Sequence, residues 1–398
     1  MIFLLKIETV ILRKKIILAL FILAALATSV QSLLRKEKIY EEGGRKYTCY
    51  NNYVVFKQSH FHLTRDQDLY APYPGEHWDL YKYSPAFAFF FGAFAYLPDF
   101  LGLTLWNLLN ALLLLAAVYY LPGINDRQRG WILLACLVEL VTSMQNEQSN
   151  ALVAGLLIFA FGLLERDKLP AAAFCIVCSV YIKIFGVLGF VLLLFYPEKW
   201  KMILYSVAWG VVLAAVPLFA VGPAQLKFLY TSWGHLLYSD HSASYGLSVM
   251  GLLHSWTGLE FNKLVVVAAG AVIFCIPILR TGQFREERFR LLALCSVLLW
   301  IVIFNHKAES PTFIIAMAGI SVWFFTGPKN WLNISLFILA FVLTSLSPTD
   351  LFPAFLRKQY VVPYVLKALP CILIWLKIIF EMMTMPSRNI AGTSRNFA

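Results

Sequence analysis

The sequence predicts an all-α, polytopic helical membrane protein, and three observations support that prediction. Hydrophobic residues make up 60% of the 398 residues and charged residues only 14%, against about 25% in soluble domains. Long apolar runs recur along the whole chain, whereas the strands of a membrane barrel alternate apolar and polar residues. In lipid, helices then remain as the structure that satisfies every backbone polar group. We therefore expect residues 1–398 to form a single integral membrane domain.

The apolar run 16–34 predicts the first transmembrane helix. A signal peptide is the alternative, but the many apolar runs that follow favour a retained anchor. Residues 36–85 then form a polar, aromatic-rich stretch, which we interpret as a large extracytoplasmic loop. Within this loop, residues 51–63 predict an amphipathic helix on the membrane surface. Its apolar side carries Tyr53, Phe56 and His60.

The remaining transmembrane helices are expected within residues 86–380, giving about 12 transmembrane helices in total. Several apolar runs are shorter than the ~20 residues that a helix needs to cross the hydrocarbon. We predict that one of them, 86–97, is a shallow or re-entrant helix that does not cross the bilayer. The chain then crosses an even number of times between the large loop and residue 145, so both lie on the same side. Residues 381–398 are expected to be a cytoplasmic tail.

The basic connections set the orientation, because cytoplasmic loops carry an excess of Lys and Arg. The predicted cytoplasmic connections are 165–169, 197–201, 281–290 and 327–330. The predicted extracytoplasmic connections are 36–85, 145–149, 182–186, 222–261, 305–311 and 347–360. The net charge of +11 comes mostly from segment ends, so we expect the bilayer and no nucleic acid as a partner. Short loops with this charge bias favour a bacterial inner membrane.

The cysteine motifs and the D-x-D motif do not indicate a disulfide, redox or metal site. One of the seven cysteines, Cys49, lies in the large loop, and this gives no disulfide framework. The CIVC run at 175–178 has redox or metal spacing but lies in an apolar run, which favours small buried hydrophobic side chains. The D-x-D of Asp66 and Asp68 is interpreted as a loop feature, because no doubly wound domain is present to bind a nucleotide.

The predicted extracytoplasmic connections hold nearly all the reactive residue types. Taken singly, a charge at the end of a span is usually a solvated anchor. Four separate segments contribute, however, and together they indicate a site. Its candidate members are Asn52, Asp79, Lys82, Glu147, Lys183, His306, Lys307 and Glu309.

Lys183 is the sharpest single case, because it interrupts an apolar run. A lysine inside the bilayer costs about 2.5–3.5 kcal/mol on insertion scales, so it is normally paired or functional. Its ammonium is suited to holding a lipid phosphate as a point charge. A lysine that reaches the interface between two short helices is the alternative.

Two short turns carry further polar chemistry, each with an ordinary alternative. QNEQSN (145–150) offers Gln148 and Asn150 as hydrogen-bond partners of sugar hydroxyls, or a helix cap by Asn150. NHKAESP (305–311) combines an imidazole, an ammonium and a carboxylate, which suits a phosphate clamp or a solvated turn. Three aromatic residues of the large loop predict either a sugar pocket or an interfacial belt. They are Tyr70, Trp78 and Tyr83.

These residues together resemble glycosyltransferase family 87, a membrane mannosyltransferase-like family of the GT-C superfamily. The resemblance covers roughly residues 50–315 and rests on the order and spacing of short motifs. The motifs are NNYVVFKQ, DLY (68–70), YSP (83–85), LWNLLN (105–110), NEQSN (146–150), Lys183, GLSVMGLL (246–253) and NHKAESP. At 184 an isoleucine stands where the family has a proline.

The resemblance implies a GT-C fold and an inverting hexosyltransferase, usually a mannosyltransferase, that acts without metal or other cofactor. The donor would be a polyprenyl-phosphate sugar, and the acceptor a lipid or glycan. Lys183 and His306, with Lys307, would bind the donor phosphate. Asn52 and Gln148 would contact sugar or acceptor hydroxyls.

One departure from the family pattern matters for the chemistry. The family's catalytic base is an aspartate at the position of Asn52, and an amide cannot take the proton. A positioned base contributes about 10²–10⁴ in rate. Where the family has glycine this chain has Glu147, so we predict Glu147 as the base, with Asp79 second and Glu309 third.

Two other classes remain open from the sequence. A lipid-linked-sugar transporter or flippase would show related halves and broken helices, which a search for internal symmetry would detect. A catalytically impaired scaffold in glycan assembly would explain Asn52, and a transfer assay would distinguish it.

Overall fold

A computed structural model describes residues 12–39, 44–239 and 244–386 of the chain. The predicted tail therefore lies outside the described residues from 387 onward. The described part is almost entirely helical, and the predicted all-α class is confirmed. Its one strand pair is an antiparallel ribbon of β1 (Lys38–Ile39) and β2 (Lys46–Tyr47).

The α-helices follow the apolar runs and the polar caps between them. In chain order they are α1 (Lys14–Leu34), α2 (Asn51–Thr64), α3 (Pro85–Phe90), α4 (Gly92–Ala95), α5 (Asp99–Tyr120), α6 (Asp126–Gln145), α7 (Asn150–Leu164), α8 (Leu169–Ile182), α9 (Lys199–Ala215), α10 (Pro223–Ser239), α11 (Val249–Thr257), α12 (Lys263–Cys275), α13 (Glu287–Ile303), α14 (Phe313–Thr326), α15 (Trp331–Ala340), α16 (Ala354–Leu356) and α17 (Leu369–Thr384). Short 3₁₀ and π segments continue some of them. These are Ile184–Phe195, Val216–Phe219, Pro277–Leu279, Thr281–Gln283, Ser310–Thr312, Phe341–Leu346 and Arg357–Val361.

Three of the described helices are long and apolar enough to cross a membrane, judged by length and composition. They are Lys14–Leu34, Asp99–Tyr120 and Lys199–Phe219. Several more helices are apolar but shorter. Residues 85–95 form two short helices that rise only about 16 Å together, against ~30 Å of hydrocarbon. This agrees with the shallow helix predicted at 86–97, and the total of about twelve spans stays a prediction.

The core lies in α7, α13 and α14, whose residues are buried almost throughout. A small residue permits the closest helix contact there, since a Cβ at Gly155 of α7 would lie 3.1 Å from the Leu114 backbone nitrogen of α5. Small residues are typical of such membrane helix interfaces. A polar tie joins the same two helices, because Asn110 Oδ1 accepts the Leu152 N–H at 3.0 Å.

The helix predicted at 51–63 is present as α2, but its apolar side contacts protein where the sequence predicted the membrane surface. Tyr53 and Phe56 are almost completely buried. Phe56 packs edge-to-face on Phe87 of α3 and on Phe91, the residue between α3 and α4, with ring centroids 5.2 and 5.4 Å apart. The two short helices after the loop therefore cover the side that lipid was expected to cover.

Hydrogen bonds sort the connections into two groups at the ends of the helices. The group that we call the loop end comprises 44–85, 145–149, 182–186, 244–262 and 305–311. The group that we call the basic end comprises 165–169, 197–201, 280–290 and 327–330. At the basic end, Arg290 binds Glu165 through two nitrogens at 2.5 and 2.6 Å. For these connections the grouping matches the predicted division, whereas the predicted connection 347–360 and the first part of 222–261 are assigned to neither group.

A buried ion pair joins α6 to the segment before α17. The Lys367 ammonium lies 2.8 Å from Glu139 Oε1, and the two side chains are 5% and 0% exposed. The Lys367 ammonium also lies 4.9 Å from the centroid of the Phe313 ring. Breaking one partner of such a pair leaves a buried group without its counter-charge.

We expect Lys367→Met to lower the free energy of unfolding by about 3–5 kcal/mol. Adding Glu139→Leu should restore most of that stability, because an apolar pair of similar volume replaces the ion pair. The matched control is Lys201→Met, which removes the exposed pair with Glu198 and should cost far less, because exposed ion pairs contribute little to stability. Unfolding of the purified protein in detergent measures all three, and equal losses for both lysines would contradict the prediction.

Candidate active site

Lys183 sits at a break between two helices. Helix α8 ends at Ile182 because Lys183 has extended backbone angles (φ −141°, ψ 126°), and the 3₁₀ segment begins at Ile184. The ammonium donates to Gln148 Oε1 at 3.0 Å and to Asn150 Oδ1 at 2.8 Å. Burial lowers the pKa of Lys183 to about 8; the Glu309 carboxylate raises it and the Lys82 ammonium lowers it further.

The YSP run at 83–85 fastens the large loop beside Lys183. Ser84 Oγ accepts the Phe87 N–H at 3.1 Å as the N-cap of α3, and Pro85 occupies the first turn. The same hydroxyl donates to the Tyr181 carbonyl at 2.6 Å. The Tyr83 hydroxyl lies 3.3 Å from Gln148 Oε1. Three segments therefore meet at one point: the large loop, the 145–150 turn and the break at Lys183.

The 305–311 turn joins this point from another side. Asn150 Nδ2 donates to the Pro311 carbonyl at 3.0 Å. The Leu247 N–H donates to the Ala308 carbonyl at 2.8 Å. Gly246 has φ +59°, and a Cβ there would lie 2.5 Å from the His306 carbonyl oxygen. The GLSVMGLL motif therefore holds the turn in place, and only glycine fits at that contact.

Lysines and carboxylates alternate around this meeting point. The Lys82 ammonium lies 2.9 Å from Asp79 Oδ1, with both side chains substantially exposed. Burial lowers the pKa of Lys307, which is lowered further by Lys82 and raised by Asp79. Glu309 is exposed, and its side chain accepts the Thr312 N–H in a capping box. We call this set the charged cluster: Asp79, Lys82, Lys183, Lys307 and Glu309. His306 lies half-buried in the same turn.

Asp79 is held in place by the residue before Asn52. The Asn51 side chain donates to the Trp78 carbonyl at 2.7 Å and accepts the Trp78 N–H at 2.8 Å. Asp79 then adopts φ +73°, a conformation that Asp and Asn tolerate better than most residues. The Asn52 amide donates to the Asn146 carbonyl at 2.9 Å. The exposed Asp79 carboxylate therefore belongs to a segment that is anchored beside Asn52.

Glu147, which the sequence predicted as the catalytic base, lies against helix α1. It is 1% exposed, and its Oε1 accepts the Ser32 hydroxyl of α1 at 3.1 Å. The turn has φ +49° at Glu147, and its carbonyl accepts the Trp106 indole N–H at 2.9 Å. Burial raises the pKa of Glu147 well above its usual value, opposed by Ser32 and Arg35. Burial therefore favours the protonated, neutral form of this carboxyl.

The loop aromatics mostly shape the fold around the cluster. Tyr70 is buried, and its hydroxyl donates to the Tyr83 carbonyl at 3.0 Å. Trp78 is half-buried, with its ring 6.4 Å from the Tyr47 ring. Asp68 of the D-x-D accepts the Ser232 hydroxyl at 3.0 Å, which agrees with its interpretation as a loop feature. The cysteines of the CIVC run are free thiols, Cys175 buried and Cys178 partly exposed.

Sequence reasoning missed one cavity at the loop end. It is open, has a volume of about 810 Å³, and adjoins the Gly246 contact with the 305–311 turn. Its polar lining residues include Tyr245, His254, Glu260 and Lys263. Tyr245, His254 and Glu260 lie within the long predicted connection 222–261, whose length was the available signal, and Lys263 begins the next helix.

The comparisons with known proteins agree with the motifs. The family model "Glycosyltransferase family 87" matches residues 81–304, more than half of the chain. A search of solved structures matched the crystal structure of ArnT from Cupriavidus metallidurans bound to undecaprenyl phosphate, at a TM-score of 0.43 and 14% identity. That match covers 92% of this chain and 77% of ArnT. The search of curated proteins found no match.

The family model that matches this helical membrane protein defines the class, a membrane glycosyltransferase. The chain belongs to glycosyltransferase family 87. The matched region includes YSP, LW, the 145–150 turn, Lys183 and GLSVMGLL. It leaves out NNYVVFKQ, DLY and NHKAESP, so the equivalence of Asn52 with the family's base and the roles given to His306 and Lys307 remain a resemblance.

Proposed function

We propose that the protein transfers a hexose from a polyprenyl-phosphate donor to a lipid or glycan acceptor with inversion. Mannose is the first candidate for the hexose. The reaction would take place at the extracytoplasmic side of a bacterial inner membrane. The observation that carries the proposal is the meeting of four connections around Lys183. Undecaprenyl phosphate, which the ArnT structure contains, is the lipid probe in the tests below.

The donor phosphate would bind at the lysines of the charged cluster. Lys183 already donates to two side-chain carbonyl oxygens, and a phosphate could replace either partner with a charged acceptor. Hydrogen bonds to charged groups contribute about 1.5–3 kcal/mol each. Lys82 and Lys307 would add charge at the rim, and His306 a further donor. Gln148, Asn150 and Asn52 would then face the sugar hydroxyls.

The base that deprotonates the acceptor would be Asp79, with Glu309 as the second candidate. Inverting transfer needs one base within hydrogen-bond reach of the acceptor hydroxyl. Asp79 and Glu309 are exposed members of the charged cluster, whereas Glu147 is buried against α1. Its burial and raised pKa are the reason why our proposal moves Glu147 from first to third place.

The open cavity would receive the acceptor. It adjoins the 305–311 turn, so a molecule bound there could present a hydroxyl to the cluster. Glu260, Lys263 and the Tyr245 ring are the kinds of side chain that bind sugar hydroxyls and ring faces. The bilayer would supply both the donor and a lipid-linked acceptor.

Glu147→Gln is expected to retain at least about half of the wild-type transfer rate, because burial favours the neutral acid and the amide that replaces it is neutral too. Its Ser32 contact can be kept by the amide oxygen. The measurement is hexose transfer in membranes with matched protein amounts. A fall of about 10²-fold or more, the size expected for loss of a base, would restore Glu147 as the base and contradict our assignment.

The function is tested by offering the purified protein a polyprenyl-phosphate mannose and a nucleotide mannose in parallel, with a membrane lipid extract as acceptor source. We expect radiolabelled product only from the lipid-linked donor. Transfer only from the nucleotide sugar would contradict the proposed donor. Transfer from neither donor would contradict the proposed transferase activity. It would favour a lipid-linked-sugar flippase or a catalytically impaired scaffold.

A further inference from the structure

Two histidines and a glutamate of the large loop form a cluster that the sugar-transfer proposal does not use. His62 belongs to α2, and Glu76 and His77 follow the turn after it. One ligand atom from each of the three side chains lies within 4.8 Å of the others. His62 Nε2 and Glu76 Oε2 are 2.8 Å apart. Their spacing in the sequence did not predict this meeting.

Burial, ring stacking and a hydrogen bond fix the orientation of the two imidazole rings. His62 and His77 are 2% and 3% exposed, and the His62 ring stacks on Tyr73 with centroids 3.7 Å apart. His77 Nδ1 lies 3.0 Å from the Asp79 carbonyl, so donation to that oxygen leaves the lone pair on Nε2. Metal-binding histidines typically use such an outer hydrogen bond to fix their tautomer.

The charges around the cluster are mixed but permit a cation. Glu76 is part of the set, and its side chain is 35% exposed, which gives an entry path from solvent. Asp79 and Glu76 both favour positive charge at His77. Arg65 opposes positive charge at His62. Two neutral imidazoles and one carboxylate are a ligand set that Zn²⁺ accepts, with a fourth position left for water.

We propose that His62, Glu76 and His77 bind Zn²⁺, and that this ion fastens the turn at 66–77 to helix α2. Zn–N and Zn–O bonds are about 2.0–2.2 Å long, so the three ligand atoms would draw closer than they are here. The ion would be structural and separate from the sugar transfer, which the family resemblance implies is metal-independent. It would fix the start of the segment that carries Trp78 and Asp79.

The test uses the full chain purified in detergent through a tag without histidine, stripped with a chelator and then titrated with Zn²⁺. We expect about one equivalent to bind tightly, with a zinc X-ray absorption spectrum of nitrogen and oxygen ligands near 2.0–2.1 Å. Saturation should also raise the thermal midpoint, because the ion binds the folded state. Binding of no equivalent, or a sulfur-ligand spectrum, would overturn the proposal.

Variants locate the ion. Glu76→Gln changes one exposed ligand and keeps its size, so it should fold and weaken Zn²⁺ binding by at least the roughly 10–100-fold that loss of an outer hydrogen-bond partner costs. His77→Ala should abolish stoichiometric binding. His235→Ala is the control, since this histidine is exposed on α10 and should leave the titration unchanged. Equal binding by Glu76→Gln, His77→Ala and wild type would place the ion elsewhere and overturn the site.

Discussion

Replacing Asp79 by asparagine is expected to lower kcat by about 10²–10⁴-fold, the contribution of a positioned general base. Asparagine keeps the size of the side chain and tolerates the left-handed backbone found at this position (φ +73°). The backbone that Asn51 holds at Trp78 is then unchanged. Steady-state transfer from a polyprenyl-phosphate sugar measures the effect, with the protein's thermal midpoint as a check on folding.

Three variants make the Asp79 result specific. Asp66→Asn is the matched control, because Asp66 lies in the same loop with φ +54° and should leave kcat unchanged. Lys82→Met removes the ion pair but keeps the carboxylate, so it should affect kcat far less than Asp79→Asn. Glu309→Gln tests the second candidate. If Asp79→Asn retains full activity and Glu309→Gln loses it, the base is Glu309.

Replacing Lys183 by methionine is expected to raise the KM for the lipid-linked donor by about 10–100-fold. The estimate converts the 1.5–3 kcal/mol of a charge-assisted hydrogen bond at about 1.4 kcal/mol per tenfold change. Methionine fills similar space among the apolar neighbours but cannot donate to Gln148 or Asn150. Donor binding, measured directly with an undecaprenyl phosphate probe, separates loss of affinity from loss of chemistry. Unchanged affinity would contradict the phosphate-binding role.

The pH dependence of that binding gives a second test of Lys183. The pKa of its ammonium is lowered to about 8, so the charged fraction in the free protein falls as pH rises through 8. Donor affinity should therefore weaken above that pH. Lys183→Arg should restore much of the affinity and remove the dependence, since a guanidinium stays charged throughout this range. A wild-type affinity that is flat from about pH 7 to about pH 9, roughly one unit on either side of the lowered pKa of about 8, would contradict this explanation.

Much of the fold could be predicted from the sequence because membrane helices are apolar runs. The loop helix was predicted within a residue of its observed ends, Asn51 and Thr64. The grouping of the connections was also predicted, since basic residues concentrate on one side. The environment of the loop helix was predicted wrongly. Its apolar side packs on the aromatic residues at 87 and 91, and pattern alone cannot distinguish burial against protein from burial against lipid.

The sequence predicted which residues lie together in the candidate site better than it predicted what each residue does there. Lys183, Gln148 and Asn150 meet as expected, because each lies at the end of an apolar helix on the same side. The orientation of Glu147 could not be read from sequence, since it depends on a left-handed backbone and on Ser32, which is 115 residues away. The His62 cluster was missed for a related reason. Its ligands meet only because the turn after α2 reverses the chain.

Mapping where a polyprenyl phosphate binds tests the central claim most directly. A photoreactive undecaprenyl phosphate would be crosslinked to the full-length protein in membranes, and the labelled peptides identified by mass spectrometry. We predict labels at the loop end, on segments around Tyr83, Gln148, Lys183 and Lys307, competed by unlabelled lipid and reduced by Lys183→Met. Labels at the basic end around Arg290, unaffected by Lys183→Met, would contradict the proposed site.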